Sequence, residues 1–124
     1  MWNENPAQKA VGDCAVRAVS IALALDWNAA YSLIAAEGFR LSDMPSSNAV
    51  WGAVLRKHGF KRYAIPNSCP DCYTINDFAD ENQNGVYVVG TGNHVVTIKD
   101  GVIYDSWDSR NEIPVYYWHK EGVQ

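Results

Sequence analysis

The sequence has little of what nucleic-acid-binding and membrane proteins use. Of its 124 residues, 10 are Lys or Arg and 14 are Asp or Glu, so the net charge is −4, and the basic residues form no cluster. Nucleic-acid-binding proteins carry a basic patch for the phosphates, so we expect no nucleic-acid partner. No apolar run approaches the roughly 18 residues of a membrane span, so we expect no membrane partner either.

Cysteine is also scarce, and the pattern of a signal peptide is absent. Residues 1–6 contain neither a basic region nor an apolar region. We therefore expect a cytoplasmic protein, in which thiols stay reduced. The chain has three cysteines, and this odd number argues against a disulfide framework.

What the sequence does contain is the composition of an ordinary folded domain. Hydrophobic residues make up 48% and charged residues 19% of the chain. A length of 124 residues suits one core, so we predict a single domain over residues 1–124. Five Trp and seven Tyr are a large aromatic load for this length, and we expect them to fill that core well.

Helical patterns come first along the chain. An apolar run predicts a buried helix over residues 14–25, with Asp13 as its N-cap. A second helix is expected to end near Glu37, because Gly38 follows it, and Glu37 itself is expected on the solvated surface. A third helix is predicted from a cap at Ser46 or Ser47 to about residue 58.

Strand patterns follow the helices. A short helical turn is predicted from Thr74, and Asp77 stands where a capping box places an acid. Short runs rich in β-branched and aromatic residues predict strands at residues 61–65, 86–89, 94–99, 102–105 and 115–119. Helices followed by an antiparallel sheet indicate an α+β fold.

Cys14 and His94 suggest a specific chemistry. Cys14 falls in the first turn of its predicted helix, where the helix dipole and the free N–H groups favour a thiolate. A nearby imidazole can take the thiol proton, and a third group on the other ring nitrogen fixes the tautomer. His94, at the start of a predicted strand, is the candidate imidazole.

The predicted hairpin brings an acid to His94. Asp100 and Gly101 are a strong signal for a two-residue turn, in which Lys99 pairs with Val102. His94 and Asp105 then become diagonal neighbours on one face of the sheet, within reach of each other's side chains. Asp108, three residues further on, is the alternative acid, because a shifted turn would favour it.

With Gln8 these residues carry a family resemblance. Gln8 lies six residues before Cys14, and an amide held there would donate to an oxyanion alongside the Cys14 N–H. Gln8, Cys14, His94 and the run Asp105, Ser106, Trp107 follow one another in an order that resembles the papain-like cysteine peptidase superfamily. The run of residues 13–18 is similar to the small papain-like domains of bacteria and phages. Residues 26–84 have no match to the family's motifs.

The resemblance implies a papain-like α+β fold in which the helix that bears Cys14 packs on the sheet. It implies Cys14 as the nucleophile, His94 as general base and acid, Asp105 as the group that orients His94, and Gln8 as an oxyanion donor. It implies no cofactor and no metal. Ala15 stands where the family usually has Trp, and the acid is Asp rather than Asn.

The predicted function is that of a thiol hydrolase, a cysteine peptidase or amidase that forms an acyl-enzyme on a peptide, amide or isopeptide substrate. One alternative is a binding module that keeps the papain-like fold without turnover. The other is a zinc or redox module at Cys69 and Cys72, which form a Cys-x-x-Cys motif. Zinc would need further ligands, and no second such motif is present in the sequence.

Overall fold

The computed structural model describes residues 13–65, 73–92, 94–105 and 108–120. Within them the chain forms four helices and five strands, so the fold is α+β as predicted. The elements in chain order are α1 (Cys14–Leu23), α2 (Trp27–Leu41), α3 (Asn48–Lys57), β1 (Lys61–Ala64), α4 (Ile75–Glu81), β2 (Val86–Gly90), β3 (Val95–Lys99), β4 (Val102–Tyr104) and β5 (Tyr116–His119).

The strands form one antiparallel sheet in the order β1-β5-β2-β3-β4. The β3–β4 hairpin turns at Asp100 and Gly101, whose φ angles of 51° and 81° are those of the predicted two-residue turn. Lys99 pairs with Val102, as the sequence predicts. This register brings the start of β3 and the end of β4 to the same end of the sheet.

Helices cover both faces of the sheet. Successive residues of a strand point to opposite faces. Val88 and Val95 pack with α1, α2 and α3, whereas Val89 and Val96 pack against α4. On the first face a hydrogen bond also links the helix to the sheet: the buried Thr97 hydroxyl of β3 donates to the Ala18 carbonyl of α1 over 2.7 Å. This hydrogen bond and the apolar contacts together hold α1 against β3.

Two helix termini differ from the sequence prediction. Asp13 makes no side-chain capping bond to the N–H groups of α1, and its carboxylate contacts Arg17 and Trp27 instead, as described below. The second helix does not end at Glu37. It continues to Leu41, and the left-handed residue that ends it is Ser42, with φ 55°. Gly38 is needed for packing, since a Cβ there would lie 2.9 Å from the Asp43 carbonyl oxygen.

Other local predictions are confirmed. Ser47 caps α3 by accepting from the Ala49 N–H. Thr74 and Asp77 form the complete capping box at the start of α4, with bonds of 3.0 and 3.1 Å. Within the described part of the chain no single helix has the length and apolar character to cross a membrane, and α1 with α2 reaches them only as a pair bent by 110°.

Candidate active site

Cys14 is the first residue of α1 and is half-buried. Its N–H has no acceptor within the helix, because the first turn of a helix leaves its donors unpaired. The preceding Asp13 is buried and forms an ion pair with Arg17, one turn along α1. Asp13 also accepts a 2.8 Å hydrogen bond from Nε1 of Trp27. The bond from Trp27 links the start of α1 to α2, and the two contacts together engage the Asp13 carboxylate, which is why Asp13 does not act as the predicted cap.

His94 lies immediately before β3, in a turn that holds its backbone. The Thr91 N–H donates to the His94 carbonyl over 2.8 Å, and the His94 N–H donates to Oγ1 of Thr91 over 3.1 Å. The ring contacts both predicted partners. Nε2 lies 2.7 Å from Oδ2 of Asp105, which leaves the other ring nitrogen for its hydrogen bond with the Cys14 thiol.

Asp105, just after β4, is the acid that meets His94. Both side chains are 7% exposed, so water hardly reaches their contact. Oδ2 of Asp105 also accepts a 2.6 Å hydrogen bond from the hydroxyl of Ser109. The alternative acid, Asp108, is 47% exposed and forms its ion pair with Arg110, with an N–O distance of 3.1 Å. Of the two candidates, only Asp105 contacts His94.

The surroundings shift the pKa values of the thiol and the imidazole in complementary directions. Burial raises the pKa of Cys14, but the hydrogen bond with His94, the Val95 and Ala15 N–H groups and the His94 charge together hold it below its ordinary value. Burial lowers the pKa of His94, whereas its bonds to Asp105 and Cys14 and their charges raise it to about 9. Both shifts favour a thiolate beside an imidazolium.

A cavity of about 370 Å³ opens beside Cys14 and His94. Four of the residues that line it are aromatic: Trp27, Tyr31, Trp51 and Tyr116. Trp27 stacks on Tyr31 with ring centroids 5.2 Å apart, and Trp51 packs on Tyr116 at 6.5 Å. A thiol and an imidazole at the edge of an apolar, aromatic cleft can bind and attack an uncharged group such as an amide. We call this the Cys14 cleft.

The remaining predicted site residues lie outside the described residues. They are Gln8, Ser106, Trp107 and the two cysteines of the Cys-x-x-Cys motif, Cys69 and Cys72. Among the side chains that the structure describes, no three or more His, Cys, Asp or Glu residues come together as a metal site would require.

Sequence reasoning missed two residues that support this site. Ser109 bonds Asp105 from four residues away in an irregular segment, and nothing in the local pattern marks it. Thr91 belongs to a Thr-Gly pair that marks a turn, but its bonds to His94 depend on the turn's geometry.

Comparisons with protein-family models, curated proteins and solved structures find no match to this chain.

Proposed function

We propose that the protein is a thiol hydrolase, a cysteine peptidase or amidase, with a papain-like catalytic triad. The observation that carries the proposal is the chain of contacts from Cys14 to His94 to Asp105 at the edge of a cleft. The order thiol, imidazole, carboxylate is what nucleophilic catalysis by cysteine requires. The arrangement of α1 against the sheet supports a papain-like architecture, since it joins the nucleophile on a helix to the base on a strand.

In the proposed reaction the Cys14 thiolate attacks the carbonyl carbon of an amide, and a carbon–sulfur bond forms. The His94 imidazolium gives its proton to the leaving nitrogen as the carbon–nitrogen bond breaks, and an amine departs. His94, now neutral, takes a proton from water, and the resulting hydroxide attacks the thioester. The carbon–sulfur bond breaks, the acid is released, and the thiolate and imidazolium are restored.

Negative charge develops on the carbonyl oxygen in both steps. The N–H of Cys14 at the start of α1 is one proposed donor to this oxygen, because helix N-termini stabilise anions. The side-chain amide of Gln8 is the second proposed donor, on the basis of the family resemblance. Asp105 holds the His94 ring in the tautomer that faces Cys14 and stabilises its charge.

A non-specific acyl donor tests the proposal without knowledge of the natural substrate. We expect p-nitrophenyl acetate to acetylate Cys14, as seen by peptide mass spectrometry, and to be turned over in repeated cycles. Cys14→Ser is expected to abolish turnover, and His94→Ala to slow it at least about a hundredfold. The double variant Cys69→Ser/Cys72→Ser is the matched thiol control and should keep both acetylation and turnover.

Two outcomes would replace the proposal. If Cys14 is acetylated no faster than Cys69 and Cys72, and no turnover occurs, the chain is a binding module without hydrolase activity. If the purified protein instead holds zinc that is lost in Cys72→Ser but kept in Cys14→Ser, the metal or redox function at Cys69 and Cys72 is favoured.

A further inference from the structure

A second cavity, of about 320 Å³, lies next to the Cys14 cleft and shares three wall residues with it: Asn48, Trp51 and Tyr116. Its other described walls come from α3, β1 and β5: Ala49, Gly52, Arg56, Arg62 and Trp118. We call it the arginine cavity. The two cavities are therefore neighbours, with these three side chains at their common border.

Two arginines border this cavity and sit on aromatic rings. The guanidinium of Arg62 lies 4.3 Å from the ring centroid of Tyr116, and that of Arg56 lies 5.3 Å from the ring of Trp118. Among the described residues, neither guanidinium forms an ion pair with an Asp or Glu. Aromatic faces hold an arginine in place without neutralising its charge.

The other polar groups of the wall also offer hydrogen-bond donors. Asn48 uses its carbonyl oxygen to accept a 3.0 Å bond from Nε1 of Trp51, so its NH₂ group remains as a donor. Trp118 is 3% exposed, and its Nε1 is buried with no hydrogen-bond partner among the described residues. A buried N–H without a partner is costly and calls for an acceptor.

The exposed guanidinium of Arg56 lies over the indole of Trp118, whose Nε1 is the buried donor without a partner. Guanidinium groups and an unsatisfied N–H are donors that suit a carboxylate, which a guanidinium can bind through two parallel hydrogen bonds. No acidic residue is among the described residues of the wall.

We propose that the arginine cavity is a specificity subsite that binds the carboxylate of an acidic residue in a peptide substrate. The selection of a substrate by this cavity rests on the proposed thiol hydrolase function. The binding of a carboxylate in the cavity does not depend on that function. Arg56 and Arg62 form the charge pair, and Trp118 supplies the central donor. The subsite selects acidic peptides in a chain whose own net charge is −4, because the local cations outweigh the overall charge at short range.

Binding is tested first, independently of Cys14 chemistry. The indole N–H resonance of Trp118, assigned with Trp118→Phe, is followed by NMR during titration with N-acetylglutamate amide, N-acetylglutamine amide or inorganic phosphate. We expect a saturable shift with the glutamate compound and none with the glutamine compound. Arg56→Gln/Arg62→Gln should weaken the binding at least about tenfold. Lys61→Gln removes a nearby exposed cation that does not line the cavity. This variant should keep the affinity for the glutamate compound within about twofold of the parent value.

The link to the active site is tested with peptidyl chloromethyl ketones that differ only by Glu or Gln at one position. At one of the peptide positions, the Glu peptide should alkylate Cys14 about tenfold faster than the matching Gln peptide. This Glu/Gln ratio should fall to about one in Arg56→Gln/Arg62→Gln and persist in Lys61→Gln.

Each negative result has a distinct meaning. If the Trp118 resonance does not move with the glutamate compound, the subsite does not exist. Binding of phosphate in preference to the carboxylate would overturn the choice of ligand. If the glutamate compound binds but the Glu/Gln ratio is one at every position, the cavity does not select the substrate. A Cys14 that reacts with no chloromethyl ketone contradicts the proposed hydrolase function and leaves the NMR result standing.

Discussion

Ser109 donates a 2.6 Å hydrogen bond to Oδ2 of Asp105, the same oxygen that lies 2.7 Å from the His94 ring. Ser109 is 1% exposed and does not line the Cys14 cleft, so it acts through Asp105 rather than on a substrate. It is therefore a positioning residue. The hydroxyl holds the carboxylate oxygen that contacts His94, and this restrains the direction in which the ring faces the thiol.

Ser109→Ala removes this support. We expect kcat for p-nitrophenyl acetate to fall about tenfold with KM unchanged, since the hydroxyl acts on the orientation of His94 and not on binding. The free energy of unfolding should fall by about 1.5–3 kcal/mol, as for other hydrogen bonds to a charged group. Ser20→Ala is the matched control, because Ser20 is equally buried and bonds the Leu25 carbonyl. It should lower stability without the loss in kcat, and equal losses in the two variants would contradict the assigned role of Ser109.

Replacing the acid tests which carboxylate serves His94. In Asp105→Asn the hydrogen bond can persist but the charge is lost, so the pKa of His94 should fall below its value of about 9. In this variant burial still lowers the pKa of His94, and Cys14 is the main group left that raises it. An NMR titration of the His94 ring measures the change. Asp108→Asn should leave the titration where it is, because Asp108 pairs with Arg110. A shift in Asp108→Asn instead would reverse the assignment.

Gly90 lies directly under the ring of Tyr116, its partner across β2 and β5. A Cβ at Gly90 would overlap the Tyr116 ring. Gly90→Ala should therefore push Tyr116 toward the Cys14 cleft and cost about 1–3 kcal/mol in the free energy of unfolding, measured with urea. Gly92→Ala is the control, since a Cβ there meets nothing within 4 Å. Equal stability of the two variants would show that the Tyr116 ring does not lie over Gly90.

Glu37 pairs with Arg40 of its own helix α2 and with Lys57 of α3, with N–O distances of 2.6 and 2.7 Å, and the Lys57 pair joins the two helices. These two hydrogen bonds, opposed by burial, hold the pKa of Glu37 at about 2. A depressed pKa in the folded state stabilises the fold above the unfolded-state pKa of about 4.3, and this contribution is lost as pH falls toward about 2. The Tm of Glu37→Gln should therefore lie below that of the parent at pH 7, and the gap should close near pH 2.

The control for the Glu37 measurement is Asp80→Asn, which changes an exposed carboxylate on α4. Its effect on Tm should be small and similar at both pH values. A Glu37→Gln gap that stays constant down to pH 2 would mean that the charge of Glu37 does not contribute to stability through these pairs.

The parts of the fold that depend on local signals could be predicted from the sequence. Asp100 and Gly101 require a tight turn whatever surrounds them, and that turn sets the register that brings Asp105 to His94. The capping box at Thr74 is equally local. For the same reason the sequence limits the acid that contacts His94 to two candidates, Asp105 and Asp108.

The features that the sequence prediction missed depend on tertiary contacts. Gly38 looks like the glycine that ends a helix. It is glycine instead because the chain returns over α2 at Asp43 and leaves no room for a Cβ. Glu37 resembles a surface residue, yet α3 brings Lys57 to it and buries it. Ser109 reaches Asp105 through an irregular segment that has no periodic pattern. No local propensity encodes such contacts.

We infer that Cys14 is a thiolate paired with the His94 imidazolium. The most direct test is the rate of iodoacetamide alkylation of each cysteine against pH, read by peptide mass spectrometry. We expect Cys14 to react at lower pH than an ordinary thiol does, because its pKa is lowered. In His94→Ala its profile should move up to that range or above it, because burial then raises the pKa with less opposition. If Cys14 follows the profile of an ordinary thiol in the parent protein, or keeps its low-pH reactivity without His94, the thiolate–imidazolium account is wrong.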